Sequence, residues 1–469
     1  MNRLASYRLR LSRTPGALAV RRAYARVMSG TRGRVLDLAL PAVGEQLLHM
    51  AVGMTNTYMV GHLGAASLTA VGLGDQVVML LSGFLAAVAT GSTVLVARCI
   101  GAKDPQTASR ALQQSMLLGL AMGILFTVVG YSLSSSAMRW LGAAPDVIPL
   151  GTSYLRIVSL SYGMMALLFI GNGALRGAGD TRSPLVVMGI VNAVNILVSL
   201  AFLNGWGPLP VLGVRGPALG SAVGRTLGSV LIVSALLKGR AGLRFIPAEL
   251  RHVDWALLGR ILNVGVPTGV ETVLMRFGQL SFSTIVAGLG TVAYAAHQIA
   301  MTSMSASFMP GFGFGIATTT LVGQRLGAKD VTGAKECCRE ASRVAVLVMS
   351  AVGLFMVLFA RQVMGVFIND PEVIELGVPC LRLLGFVQPF LMGMHIYSGA
   401  LKGAGDTRAT MVITTASIWL LRLPLGYLFA TVLRWGLTGV WIALAVDQIM
   451  RTALYWLRYR AGRWERMKV

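Results

Sequence analysis

Charge is scarce in this chain, and negative charge is scarcest. Only 13% of the 469 residues are charged, and 18 Asp and Glu stand against 41 Lys and Arg. A soluble domain carries roughly 25% charged residues, so the sequence lacks the material for a wetted surface. Cysteine is nearly absent as well. Cys99, Cys337, Cys338 and Cys380 show no zinc-ligand spacing and fall in no segment placed outside, which predicts free packing thiols and excludes a disulfide scaffold. There is no P-loop, no Gly-x-Ser-x-Gly, no His-x-x-Glu-His and no catalytic pair of acids on one span. The sequence is therefore read as neither a nucleotide-driven pump nor an enzyme.

What the chain has in excess is apolar length. Hydrophobic residues make up 55% of it and the mean hydropathy is +0.69. Runs such as "LLGLAMGILFTVVGYSL" and "VAVLVMSAVGLFMVLFA" approach the roughly 20 apolar residues that cross a bilayer as a helix. The net charge of +23 raises the question of nucleic acid, and its distribution answers it. Most Lys and Arg lie in the two tails and in every second loop, the pattern of the positive-inside rule. This predicts a multi-pass cell-membrane protein with both termini cytoplasmic, embedded in lipid and without a nucleic-acid partner. The first 34 residues hold nine Arg and no acid; they read as a basic tail against anionic lipid rather than a cleaved signal.

The chain also repeats itself. "GALRGAGDTR" begins at Gly173 and "GALKGAGDTR" at Gly399, 226 residues later. The same offset relates "GAKD" at Gly101 and Gly327, Pro41 and Pro267, Glu45 and Glu271, and Arg225-Thr226 and Arg451-Thr452. One gapless offset over that range marks a duplication. Each half reads as six spans, near 36–60, 67–97, 107–133, 147–174, 183–204 and 213–237, then 258–286, 293–323, 333–360, 373–400, 409–431 and 436–458. The fold class is an all-α polytopic membrane protein of twelve helices in two homologous six-helix lobes. An even number per half gives a parallel repeat about an axis along the membrane normal. The organisation is a basic cytoplasmic tail at 1–35, an N-lobe at 36–237, an amphipathic cytoplasmic linker at 238–257, a C-lobe at 258–458 and a second basic tail at 459–469. The GAGDTR segments read as tight turns after the fourth span of each half. Their Asp and Thr can cap the next helix, and Asp180–Arg182 and Asp406–Arg408 can form ion pairs that latch the cytoplasmic face.

The segments "LRGAGDTRSP", "LKGAGDTRA", "GVPTGVE", "GLGTVAYAAHQIA", "GHLGAASLTAVGL" and "LLRLPLGY" resemble the multidrug and toxic compound extrusion (MATE) family over about residues 36–458. The resemblance implies two lobes around a central cleft. It also implies export of drugs, organic cations or amphipathic metabolites in exchange for protons or sodium, by alternating access. A lipid-linked saccharide flippase of the same superfamily is the alternative. The major facilitator, also built of two sixfold halves, carries a Gly-x-x-x-Asp-Arg loop where this chain reads "RCIGAKDPQ". Acids that one branch of the family carries correspond to Asn56 and to Ser199, four residues after Asn195. Those of the sodium-coupled branch correspond to Met275 and Leu391. The coupling ion therefore stays open.

A charged side chain at mid-membrane costs about 2.5–3.5 kcal/mol on insertion scales, so intramembrane polar residues are functional candidates. At 100° per residue Glu45, His49 and Asn56 share one face of the first span. Glu271 lies at the equivalent place on the seventh, its face continued by Met275, Gly278 and Phe282. A buried carboxylate can exchange a proton for a cation, so Glu45 and Glu271 are the expected coupling residues, with sodium near Glu271 as a further option and Arg225 or Arg276 as candidate partners. Asn195, His297, Gln298, Gln388 and Tyr397 are expected to add polar groups to the cleft, beside His395. Asp447 and Arg451, four residues apart, are expected to neutralise one another. The partner is a small organic molecule, and the transporter is expected to act as a monomer.

Overall fold

The computed structural model describes residues 30–206, 210–246 and 253–467. Twelve helical spans run through it. In the first half these are α1 (Gly30–Gly61), α2 (Ala65–Gly101), α3 (Pro105–Ser132), α4, α5 (Arg182–Asn204) and α6 (Arg215–Leu237). Span α4 is broken into Val147–Ser159 and Tyr162–Gly177, with a bend of 53°. The second half holds α7 (Trp255–Ala287), α8 (Thr291–Gly327), α9 (Val331–Leu358), α10 (Pro371–Gly403), α11 (Thr407–Val432) and α12 (Gly436–Arg460). Among the described residues no strand occurs. Nine of these helices are long and apolar enough to cross a membrane, and the bent pair makes ten. The remaining two, α7 and α8, have 33 and 37 residues but are rich in polar and small side chains. Both pack against the other lobe, α7 on α2 and α8 on α1 and α2. Bulky apolar residues such as Leu125, Leu347, Leu354 and Leu420 are exposed, as lipid contact requires.

The duplication is visible in local geometry. Asp104 accepts from Thr107 N at the start of α3, and Asp330 accepts from Gly333 N at the start of α9. Lys103 and Lys329, just before these caps, both take φ of +60°. Gly179 and Gly405 turn at φ of +92° and +88°, a left-handed conformation that glycine alone adopts without strain. Short helices Ser134–Trp140 and Ala360–Phe367 begin at equivalent positions. The halves part company in two places. The break in α4 has no counterpart in the continuous α10, and α11 contains π-helical turns at Ser417–Arg422 and Leu428–Val432 that α5 lacks.

The lobes exchange their first turns. Val35, Leu36, Leu38 and Ala39 of α1 pack in the core formed by α8, α9, α10 and α12. Leu257 and Ile261 of α7 lie in the core formed by α2 to α6. Each leading helix thus begins in the partner lobe and crosses to its own.

The tail at 1–29 and linker residues 247–252 lie outside the described residues. What is described of the linker is not an amphipathic helix at the surface: after one short turn at Arg240–Gly242, Leu243 is buried in the N-lobe core. The second basic tail also folds back. Trp464 is fully buried, stacks on Tyr459 with centroids 4.9 Å apart, and donates its Nε1–H to the Tyr459 carbonyl. All four cysteines are buried free thiols, Cys337 and Cys338 within the C-lobe core.

Candidate functional site

Proline opens the site in each lobe. Pro41 lies in α1 and Pro267 in α7, where each removes a helical N–H and loosens the turn that precedes a glutamate by four residues. Glu45 and Glu271 are both buried. Their partners come from the duplicated decapeptide. Arg176, next to last in α4, places Nη1 at 2.7 Å from Glu45 Oε1. Lys402, next to last in α10, places Nζ at 3.1 Å from Glu271 Oε2. In both lobes acid and base are 131 residues apart. The expected partners Arg225 and Arg276 are not the ones used; helix ends on α4 and α10 reach the glutamates first.

The two carboxylates differ in what else they touch. Glu271 accepts from Thr410 at 3.3 Å and from Thr414 at 3.0 Å, and Thr414 in turn meets the Tyr455 hydroxyl at 2.6 Å. In the N-lobe the places of Thr410 and Thr414 are taken by Pro184 and Met188, which have no hydroxyl. Glu45 Oε2 is accordingly buried with no hydrogen-bond partner. A sodium ion beside Glu271 would have to displace the Lys402 ammonium. Among the described residues, no three His, Cys, Asp or Glu side chains converge as a metal site.

Both pairs line one cavity of about 570 Å³ between the lobes. From the N-lobe come Glu45, His49, Asn172 and Arg176; from the C-lobe come Glu271, Arg276, His395, Lys402, Arg451 and Tyr455. Met79, Met188, Met275, Met394, Phe169 and Phe312 supply apolar wall. Thioether side chains adapt to varied apolar shapes.

Several residues expected in the cleft do not line this cavity. Asn56 and Asn195 share Ser221 as a partner, at 3.5 and 3.1 Å, inside the N-lobe. His297 packs between Phe282 and Trp441 in the C-lobe, with centroids 6.0 and 5.8 Å away. Gln298 is exposed and donates to the Tyr294 hydroxyl at 3.1 Å. Gln388 is buried and donates to Ser307 at 2.6 Å. Tyr397 rests against Tyr459 at 5.4 Å. For Asn56, Asn195 and Gln388 the physical reason is common: a polar side chain in a span needs a partner, and a neighbouring helix of the same lobe satisfies it as well as a cavity does.

Asp447 pairs with Arg451, as the four-residue spacing predicts, with Nη2 to Oδ2 at 2.6 Å. Arg422 and Ser417 bond the same carboxylate. A π-turn brings residues five apart onto one face, and Ser417 and Arg422 are such a pair in α11. One buried acid therefore serves two arginines.

The cavity is shut toward the face that carries both described chain ends, called here the basic face. Helices α2 and α8 cross there so closely that a Cβ on Gly101 would overlap the Gln324 carbonyl, and one on Gly327 the Arg98 carbonyl. Gln324 Nε2 donates to Gly177 O at 2.9 Å and Thr320 Oγ1 to Arg176 O at 3.1 Å. Arg98 Nη2 donates to Ala404 O at 2.8 Å and Met467 O at 3.1 Å. The duplicated segments do latch this face, but through backbone carbonyls. Their charged ends pair elsewhere: Asp180 with Arg240 at 2.9 Å, Arg182 with Asp37 at 3.4 Å, Asp406 with Arg458 at 2.8 Å, and Arg408 with the Asn263 amide oxygen at 2.9 Å. Asp180 does cap α5, through Ser183 N. Burial pushes its carboxyl up, but the bonds from Ser183 and Arg240 outweigh this and hold it below the ordinary range.

Two six-helix lobes, one cavity shared between them and closure at one face define a membrane transporter. The chain matches the MatE family model over residues 41–201 and 267–428, the same stretch of each repeat. It is 32% identical to the probable multidrug resistance protein NorM of Thermotoga maritima, covering 93% of this chain and 94% of that protein. It is 24% identical to the uncharacterized transporter YisQ of Bacillus subtilis, over 92% and 94% of the two chains. Among solved structures, a MOP superfamily transporter from Pyrococcus furiosus superposes with a TM-score of 0.87 at 23% identity, over 94% of this chain and 98% of that one. An outward-facing multidrug resistance MATE family transporter gives 0.87 at 23%, over 94% and 99%. This chain belongs to the MATE family, a family of multi-pass membrane transporters.

Proposed function

We propose that the protein is a secondary active antiporter that exports drug-like organic compounds or amphipathic metabolites from the cytoplasm across the cell membrane. Both termini are cytoplasmic, one chain is the working unit, and inward flow of protons or sodium drives the cycle. The observation that carries this reading is the shared cavity with a Glu–base pair from each lobe. Multidrug resistance proteins named NorM among its relatives support the same direction.

With the basic face inside, the conformation described is closed to the cytoplasm. The coupling follows from where the bases sit. Arg176 pairs with Glu45 through its side chain, and its own carbonyl and that of Gly177 hold α8 of the other lobe. Lys402 stands two residues from Ala404, whose carbonyl holds Arg98 of α2. A cation arriving from outside neutralises the carboxylate and releases its base. The turn that carries the base then relaxes its grip on the opposite helix, and the cytoplasmic side opens. Loss of the ion inside restores the pair and the latch. Glu45 is the better receiver, because Oε2 has no partner to surrender.

Purified protein in liposomes loaded with a fluorescent amphipath tests this. Export is expected under a proton or a sodium gradient, with Glu45→Gln abolishing the dependence on the gradient. A folded wild type that moves nothing under either gradient contradicts the reading.

A further inference from the structure

The charges around the cavity do not balance. Glu45 is matched by Arg176 and Glu271 by Lys402. Behind the wall, Asp447 is divided between Arg422 and Arg451. That leaves Arg276. It lies on α7, half-buried at the cavity wall, and its hydrogen-bond partner is the neutral amide oxygen of Gln279 at 3.3 Å. Among the described residues no carboxylate lies within ion-pair distance of it. Five cations thus meet three carboxylates, an excess of two positive charges at and behind one wall. Deeper in the N-lobe, Asp75 and Arg225 contribute one charge of each sign and leave the excess unchanged. The repeat-equivalent of Arg276 is Met50, so the excess belongs to the C-lobe alone.

A cation without a counter-charge in a low-dielectric site is costly, and a bound anion relieves the cost. A substrate cation, by contrast, would meet no carboxylate that lacks a resident base. Guanidinium presents a planar fork of donors that matches a carboxylate, sulfonate or phosphate with two parallel bonds. Met79, Met275 and Phe312 line the same cavity and suit an apolar body attached to that group. From this we infer that the transported compound is an amphipath bearing an anionic group, and that Arg276 is the residue that binds it. This rests on the export reading above and narrows it, from drug-like compounds in general to those with a negative end.

The test separates binding from transport. Three fluorescent amphipaths with one aromatic body, ending in a carboxylate, its uncharged amide or a quaternary ammonium, are dialysed to equilibrium against the full chain in detergent. The carboxylate is expected to bind about tenfold tighter than the amide. Arg276→Gln should remove the difference without altering amide binding, and Arg276→Lys should retain part of it. If Arg276→Gln fails to fold, Arg276→Lys decides: loss of the fork should reduce the preference several-fold. Equal binding of carboxylate and amide, preference for the ammonium, or a preference indifferent to position 276 overturns the inference. The same probes in liposomes judge the export reading separately. A carboxylate that binds through Arg276 but moves under neither gradient counts against antiport and leaves the binding assignment standing.

Discussion

The N-lobe and C-lobe carry the same acid–base pair on the same backbone, and they surround it differently. In the C-lobe, Glu271 is held by Lys402, Thr410 and Thr414, and a second buried network joins Arg422, Asp447 and Arg451. In the N-lobe, Glu45 has one base and one bare oxygen, and the site of Asp447 is occupied by Ser221. Duplication fixed the helix, the proline, the glutamate and the base. Divergence then gave both oxygens of one carboxylate partners and left one oxygen of the other bare. On the proposed mechanism the C-lobe is the anchor and the source of excess positive charge, while the N-lobe holds the responsive acid.

The comparison breaks most severely at Asp447. Replacing it with Asn leaves two buried arginines without their counter-charge and should cost about 3–5 kcal/mol, whereas Ser221→Ala, at the equivalent N-lobe position, should cost about 1 kcal/mol. Thermal unfolding of both variants in detergent checks this, and similar losses would argue against a C-lobe anchor. Next in size are the crossing glycines. Val at Gly101 or at Gly327 cannot be accommodated against the facing carbonyl, because packed backbone does not yield to an inserted side chain. Either change should lower transport by at least about tenfold in the liposome assay, and by equal amounts if the latch is symmetric.

Most of the fold could be read from the sequence, because hydropathy and a gapless repeat constrain the same segments independently. The break in α4 and the π-turns of α11 could not, since neither leaves an apolar signature and both depend on packing within one lobe only. At the site, Glu45, His49 and Glu271 followed from helical spacing and from the repeat. Arg176 and Lys402 do not stand out in the sequence, because their glycine-rich surroundings read as a turn. The usable signal was present: an aligned acid pair requires an aligned base pair, and these two positions keep their sign across the repeat. Asn195, His297 and Gln388 could not be placed from one helix alone, since the face toward a sibling helix and the face toward a cavity carry the same residue types.

The smallest expected difference lies at the caps. Backbone N–H of Gly333 holds the Asp330 carboxyl below its ordinary range, with Arg325 adding to it at 2.7 Å. The side chain and backbone of Thr107 do the same for Asp104, where the position of Arg325 is taken by Cys99. A lowered folded pKa stabilises above the unfolded value, near pH 4, and the benefit is lost as pH falls through the folded value. Asp330→Asn and Asp104→Asn should therefore each cost less than about 1 kcal/mol near neutral pH, with Asp330 the costlier. The difference should vanish in acid, as unfolding measured across that range would record.

On the proposed mechanism, the state of Glu45 governs the latch on the opposite lobe. The most direct measurement is the distance between spin labels at Gln106→Cys and Thr332→Cys, exposed and repeat-equivalent positions on the basic face, in lipid discs across pH. Glu45→Gln is expected to give a population separated at the basic face at every pH, while Glu271→Gln, whose side chain keeps Thr410 and Thr414 as partners, is expected to separate it less. A Glu45→Gln distribution identical to wild type, or separation produced by Glu271→Gln instead, would contradict the mechanism.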